Sequence, residues 1–174
     1  MTMLAQTLGR CVLLLCLFNP GTVTALQVGE AMPAFTLPGL GHGKILRSGY
    51  FQGKVLYLDF WASWCGPCRV SLPAMNALYR EFNAEGFEVV AVNVDKDRAE
   101  AHRFLKQHPV SYYVVADDGS LPRRFGVKGM PTAYLIDRSG TVRRVHEGFR
   151  PGDDKRLRKQ IRQLLNEPPG AISQ

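Results

Sequence analysis

Two apolar runs of strand length, one on each side of a helical stretch, constrain this 174-residue chain more than any other feature. Lys54-Val55-Leu56-Tyr57-Leu58-Asp59-Phe60 and Phe87-Glu88-Val89-Val90-Ala91-Val92-Asn93-Val94 are nearly continuous in apolar residues. Such runs are expected of strands covered on both faces of a sheet. Between them Leu72, Met75, Leu78, Tyr79 and Phe82 recur at helical spacing, which predicts a helix over Cys65 to Asn83, kinked at Pro73. Strand, helix and strand in that order predict a right-handed parallel unit.

The helix opens on Trp64-Cys65-Gly66-Pro67-Cys68, two thiols one turn apart with a proline between them. If it begins at Cys65, that sulfur meets unsatisfied backbone N–H groups and the positive end of the helix dipole. Such a place favours thiolate, the form that attacks disulfides. Cys68 comes round to the same side and can close a short ring with Cys65. Dithiol–disulfide exchange is the chemistry this suggests.

The other two cysteines lie in a different kind of segment. Met1 to Arg10 carries one positive charge and no acid, followed by the apolar run Cys11 to Phe18, the breaker Asn19-Pro20-Gly21, and Val23-Thr24-Ala25. This is the pattern of a secretory signal peptide, with cleavage expected after Ala25 and an uncleaved membrane anchor as the alternative. The domain reading is therefore a signal peptide over 1–25 and one globular domain over 26–174. The mature chain then keeps only Cys65 and Cys68. A four-residue loop constrains an unfolded chain little, so a disulfide-stapled scaffold is excluded. A structural zinc site needs about four ligands, and His42, His102, His108 and His146 show no ligand spacing, so no metal and no cofactor are expected. The formal charge of +7 is scattered, and its densest run, Lys155-Arg156-Leu157-Arg158-Lys159, reads as the solvated face of a terminal helix rather than a nucleic-acid site.

Around this centre, short strands are expected at Pro33 to Pro38 and Lys44 to Arg47, joined by a glycine-rich turn. Asp95 or Asp97 caps a helix ending near Gln107. Tyr112 to Val115 is a strand and Leu121 to Phe125 a helical turn. Thr132 to Asp137 and Thr141 to His146 form a hairpin, Asp153 to Leu165 is the last amphipathic helix, and Glu167 to Gln174 is a frayed tail.

Three further features bear on chemistry. Asp59, inside an apolar strand, is either a strand-end acid facing solvent or a buried proton carrier whose pKa is pushed up. Gly129-Met130-Pro131-Thr132 opens another strand, where the proline marks an edge, a turn or a cis bond. Trp61 and Trp64 flank the motif as core or as contact surface.

Asp59-Phe60-Trp61-Ala62-Ser63-Trp64-Cys65-Gly66-Pro67-Cys68-Arg69, Pro73 and Gly129-Met130-Pro131-Thr132 together resemble the active-site segment, helix kink and cis-proline loop of thioredoxins. Val94 to Val127 resembles the insert of the extracytoplasmic TlpA/ResA-like thiol:disulfide oxidoreductases, as do Pro131 to Gly140 and the secretory N-terminus. The resemblance covers about residues 28 to 166. It implies an α/β, thioredoxin-like fold: a central mixed β-sheet flanked by helices, with an N-terminal β-extension and a central strand-and-helix insert. It implies that Cys65 is the nucleophile, Cys68 the resolving thiol, Asp59 the proton acceptor beneath Cys68, and Pro131 a cis-proline facing the pair. Trp64, Gly66, Pro67, Met130 and Thr132 would line the substrate groove.

The implied partners are disulfide-containing exported proteins and a membrane thiol donor, with the protein itself a monomer outside the cytoplasm. Branch members that serve cytochrome c maturation commonly carry a Glu where Ser71 stands, which argues against a dedicated role on apocytochrome. Gly66-Pro67 is the thioredoxin dipeptide. Thioredoxin lies near −270 mV and the oxidant DsbA near −120 mV, a span of about 7 kcal/mol, so a reductase is favoured. The competing readings are an oxidase or isomerase of the same fold and a Cu(I)-handling thiol chaperone. A thiol peroxidase is disfavoured, because Ala62 stands where its Thr belongs.

Overall fold

A computed structural model describes residues 25–40 and 43–168. The signal peptide expected over 1–25, apart from Ala25, lies outside the described residues, as do His42 and the end of the tail. The two apolar runs are strands, β3 (Val55–Trp61) and β4 (Phe87–Asn93), buried along their whole length and paired in parallel. They flank helix α1 (Cys68–Phe82), which buries Leu72, Met75, Leu78 and Phe82 and continues through Pro73. After β4 come α2 (Arg98–Gln107), β5 (Tyr113–Ala116) and α3 (Ser120–Phe125); then β6 (Thr132–Ile136), β7 (Val142–Glu147) and α4 (Asp153–Asn166).

The sheet runs in the order β5-β4-β3-β6-β7, with β6 antiparallel to β3. A separate hairpin of β1 (Thr36–Pro38) and β2 (Ile45–Arg47) precedes it and meets β5 through Gly39 and Val115. This is the mixed sheet with N-terminal β-extension and strand-and-helix insert that the resemblance implied, and β5 is the strand the insert adds to the edge.

Alternation along the strands makes two cores. Val55, Tyr57 and Trp61 of β3 pack beneath α1, α2 and α4, with Cys65 and Cys68 at the rim of that cluster. Leu56, Leu58 and Phe60 point to the other face, against α3 and the N-terminal segment. There Leu26 is buried and its N–H donates to the Phe125 carbonyl at 3.1 Å. Gly126 permits this approach: at φ +69°, a Cβ built on it would lie 2.3 Å from the Ala25 Cα.

Two boundaries differ from expectation. Glu167 is not frayed, because its carboxylate accepts hydrogen bonds from Arg143 at 2.6 and 3.3 Å. Helix α1 begins at Cys68 rather than Cys65. Pro67 takes the N-cap place (φ −62°, ψ −24°), and its carbonyl accepts the first helical bond, from the Ser71 N–H at 3.0 Å. Proline has no N–H to lose at a helix start and a ring already set to helical φ, so Pro67 opens the helix instead of lying inside it.

Candidate active site

Where β3 ends, the chain turns through Ala62 to Pro67 before entering α1. The Cys65 N–H donates to the Ala62 carbonyl, and the Cys68 N–H to the Cys65 carbonyl at 3.2 Å. That same N–H points at the Cys65 sulfur, also at 3.2 Å. Cys65 thus precedes the helix, yet its sulfur faces an N–H at the helix's positive end, and the electrostatic reason for a stable thiolate survives the shift in boundary. Cys65 and Cys68 are joined by a disulfide of 2.05 Å. Both are buried, but Trp64, Gly66 and Pro67 around Cys65 are exposed, Trp64 at 70%. Trp61 is core, its ring 5.1 Å from that of Phe104.

Asp59 lies between Tyr57 and Trp61 on the strand face that α1 covers, the face on which Cys68 sits. Its lateral neighbours are Ala91 and Ala133, the smallest side chains available to flank a carboxyl. It is 2% exposed, and Oδ1 has no hydrogen-bond partner among the described residues. Burial pushes this carboxyl up to about 8. A group that is neutral just below that pH and anionic just above it can take a thiol proton and return it.

The Met130–Pro131 bond is cis. Thr132 pairs with Phe60, so Pro131 comes level with Trp61, where β3 runs out into the cysteine loop. The Thr132 hydroxyl donates to the Gly129 carbonyl at 2.7 Å, and Met130 packs against the cluster that contains both cysteines. Ser71 is buried, its hydroxyl 3.5 Å from the Cys68 carbonyl.

One residue of the site escaped the sequence reading in its true role. Asp97, not Asp95, caps α2, accepting from the Ala99 N–H at 2.9 Å. Asp95 instead holds the cysteine loop. Its carboxylate accepts from the Ser63 N–H at 2.9 Å, the Ser63 hydroxyl at 3.2 Å and the Asn93 side-chain amide at 2.8 Å. The only signal in the sequence was an acid directly after a parallel strand, at the sheet edge where loops gather.

A dithiol loop at the end of the central strand, on this sheet, defines a thioredoxin-fold thiol:disulfide oxidoreductase. The Redoxin family model matches residues 27–161, and the chain belongs to that family, in its ResA-like branch. Thiol-disulfide oxidoreductase ResA of Geobacillus thermodenitrificans is 33% identical over 132 residues, 75% of each chain. ResA of Bacillus subtilis is 34% identical over 125 residues, 71% of this chain and 69% of its own. A Chlorobium tepidum crystal structure assigned as thiol:disulfide interchange protein DsbE is 48% identical, with a TM-score of 0.78 over 82% of this chain and 100% of its own.

Proposed function

We propose that this protein is an extracytoplasmic reductase of disulfides in exported proteins. The observation that carries the mechanism is Asp59, a buried carboxyl on the face of the sheet that bears Cys68, with a proton affinity raised to about 8. In the reduced protein, the Cys65 thiolate attacks one sulfur of the substrate disulfide and the other sulfur leaves as a thiolate. Cys68 then gives its proton to Asp59 and attacks the Cys65 sulfur. The Cys65–Cys68 bond forms, the mixed disulfide breaks, and the second substrate thiolate departs. Two electrons have passed to the substrate, whose thiolates take up protons, one of them returned by Asp59.

On the β6 side the Pro131 carbonyl is already taken by the Gly148 N–H at 2.7 Å and Thr132 is buried in the ladder. The backbone open beside the loop is therefore that of Gly129 and Met130, just ahead of the cis Pro131, with Trp64, Gly66 and Pro67 completing the groove and Thr132 lying beneath it. Gly66-Pro67 supports the reductive direction. A membrane thiol donor would restore the dithiol in an oxidising compartment. The secretory pattern of residues 1–25 supports export with cleavage after Ala25, and a monomer suffices for every step.

The test is turnover of insulin disulfides with dithiothreitol: acceleration over the thiol alone is expected, and its absence would overturn the reading. Cys68→Ser should accumulate mixed disulfides on Cys65, identifiable by mass spectrometry. Equal trapping by Cys65→Ser would reverse the assignment of attacking and resolving sulfurs.

A further inference from the structure

We propose that a second groove, on the β4 side of the cysteine loop, receives an acidic side chain flanking the substrate's cysteine, and that Arg69 selects it. This names a substrate class for the reductase and rests on that reading. The cysteine loop has two flanks, because β3 lies between β6 and β4. The β6 flank presents Gly129 and Met130, just ahead of the cis Pro131. The β4 flank carries a groove of about 450 Å³ lined by Ser63, Trp64, Arg69, Glu100, Arg103 and Phe104. A substrate chain crossing Cys65 from one flank reaches the other with its neighbouring side chains.

The chemistry of the lining favours a carboxylate. The floor is Phe104, 5% exposed and packed at a tilt against Trp61. The Arg69 guanidinium lies over the Phe104 ring, 5.9 Å from its centre, which holds its planar fork in place. Arg69 forms no ion pair among the described residues. Arg103, by contrast, is already paired with Glu100 on its own helix. The groove therefore presents one arginine free to pair and one carboxylate that shows how an acid sits against this wall. Trp64, 70% exposed, supplies an apolar side for the stem of an Asp or Glu. The net charge of +7 steers acidic segments toward the molecule as a whole, and Arg69 supplies a cation in the groove that Trp64 also lines.

The test uses reduced protein and short blocked peptides whose single cysteine is in mixed disulfide with 2-mercaptoethanol, with Asp, Asn or Lys next to that cysteine on either side. The second-order rate constant for oxidation of the protein is measured from release of peptide thiol. An exposed ion pair changes rates only modestly, so an Asp-to-Asn ratio of about threefold and an Asp-to-Lys ratio of about tenfold are expected, both narrowing at high salt. Arg69→Gln should bring the ratios toward one. Glu100→Gln should widen them, by removing a repelling charge and freeing Arg103. Ratios taken within one variant do not depend on how much of a preparation is folded. Equal rates for the three peptides, or ratios that Arg69→Gln leaves intact, would overturn the proposal while leaving the reductase standing. Failure of every peptide to react faster than with free dithiothreitol would instead overturn the reductase reading, and this inference with it.

Discussion

Asp59 and His146 occupy one lateral row of the sheet, separated only by the methyl group of Ala133. Asp59 pairs with Ala133 across β3 and β6, and Ala133 pairs with His146 across β6 and β7. Both carry a buried polar atom without a hydrogen-bond partner among the described residues, Oδ1 of Asp59 and Nε2 of His146. Burial moves their proton affinities in opposite directions, Asp59 up to about 8 and His146 down to about 4, the latter helped by Arg156 and Arg144 and opposed by Asp153 and Gln160. The row is therefore uncharged at pH 7, by desolvation alone at Asp59 and mainly by desolvation at His146.

Opposite shifts predict a two-part pH dependence of stability. Asp59 binds its proton more tightly folded than unfolded, so its contribution falls as pH rises from about 4 to about 8. His146 binds its proton less tightly folded, so its contribution rises as pH rises from about 4 to about 6.5. The two offset each other below pH 6.5, and above it Asp59 acts alone. Urea midpoints of the oxidised protein should be nearly level from pH 4.5 to 6.5 and then decline toward pH 8. Asp59→Asn should abolish the decline and raise stability near pH 8 by an amount on the order of 5 kcal/mol, less the cost of burying the amide. A decline that persists in Asp59→Asn would place its origin elsewhere.

The same carboxyl predicts a kinetic signature. Resolution of a preformed mixed disulfide on Cys65 should accelerate as pH approaches 8, because Asp59, the proposed acceptor of the Cys68 proton, becomes anionic there. Asp59→Asn should slow this step at least about tenfold, short of the roughly 100-fold or more usual for a positioned base because solvent can also take a thiol proton. Single-turnover release of the substrate thiol measures the step directly. Attack by Cys65 should change much less, which separates proton transfer from general damage to the site.

Most of the fold was legible because buried parallel strands and amphipathic helices write themselves into the sequence as apolar runs and helical spacing. The features that escaped depend on partners far along the chain. Asp95 and Asp97 are both short acids after β4; what separates them is that Asp95 meets Ser63, 32 residues earlier, whereas Asp97 meets only its own helix. His146 gave no signal because its significance lies in strand register, which places it two strands from Asp59. The helix start was misplaced by three residues for a local reason, the preference of Pro67 for the cap. Asp59 admits two readings in the sequence because only the helix packed over β3 between Tyr57 and Trp61 leaves it 2% exposed.

Loss of the Asp95 clamp should alter the redox equilibrium as well as stability. Asp95→Ala strands the Ser63 N–H and the Asn93 amide, and charged hydrogen bonds of this kind are each worth about 1.5–3 kcal/mol. A looser loop also lowers the effective concentration of one thiol at the other, which favours the dithiol, so the potential should become less negative. A shift of roughly threefold to tenfold in the equilibrium constant with glutathione is expected. Exchanging the pair, Asn93→Asp with Asp95→Asn, keeps one acceptor for the Ser63 N–H and one donor–acceptor contact between the two side chains. It should recover more than half of the shift, a rescue that a purely steric role for Asp95 does not predict.

The last ion-pair network anchors α4 to the β6–β7 hairpin. Arg143, 6% exposed, donates to Asp137 at 3.1 Å and to Glu167 at 2.6 Å. Burial alone would push the Asp137 carboxyl up, but bonds from the Ser139 hydroxyl, the Thr141 and Ser139 N–H groups and Arg143 hold it below the usual carboxylate range. Stability from this group is present above about pH 4 and is lost as pH falls through the depressed value. Arg143→Met keeps the apolar stem but leaves two carboxylates facing each other, which should cost about 3 kcal/mol at pH 7. Glu167→Gln removes only one charge, at the more open position, and should cost about 1 kcal/mol. Urea unfolding at pH 7 and at pH 3 distinguishes the two terms: the Arg143→Met deficit should shrink at pH 3, where the stranded carboxylates take up protons, and a deficit unchanged by pH would mean that lost packing, not charge, accounts for it.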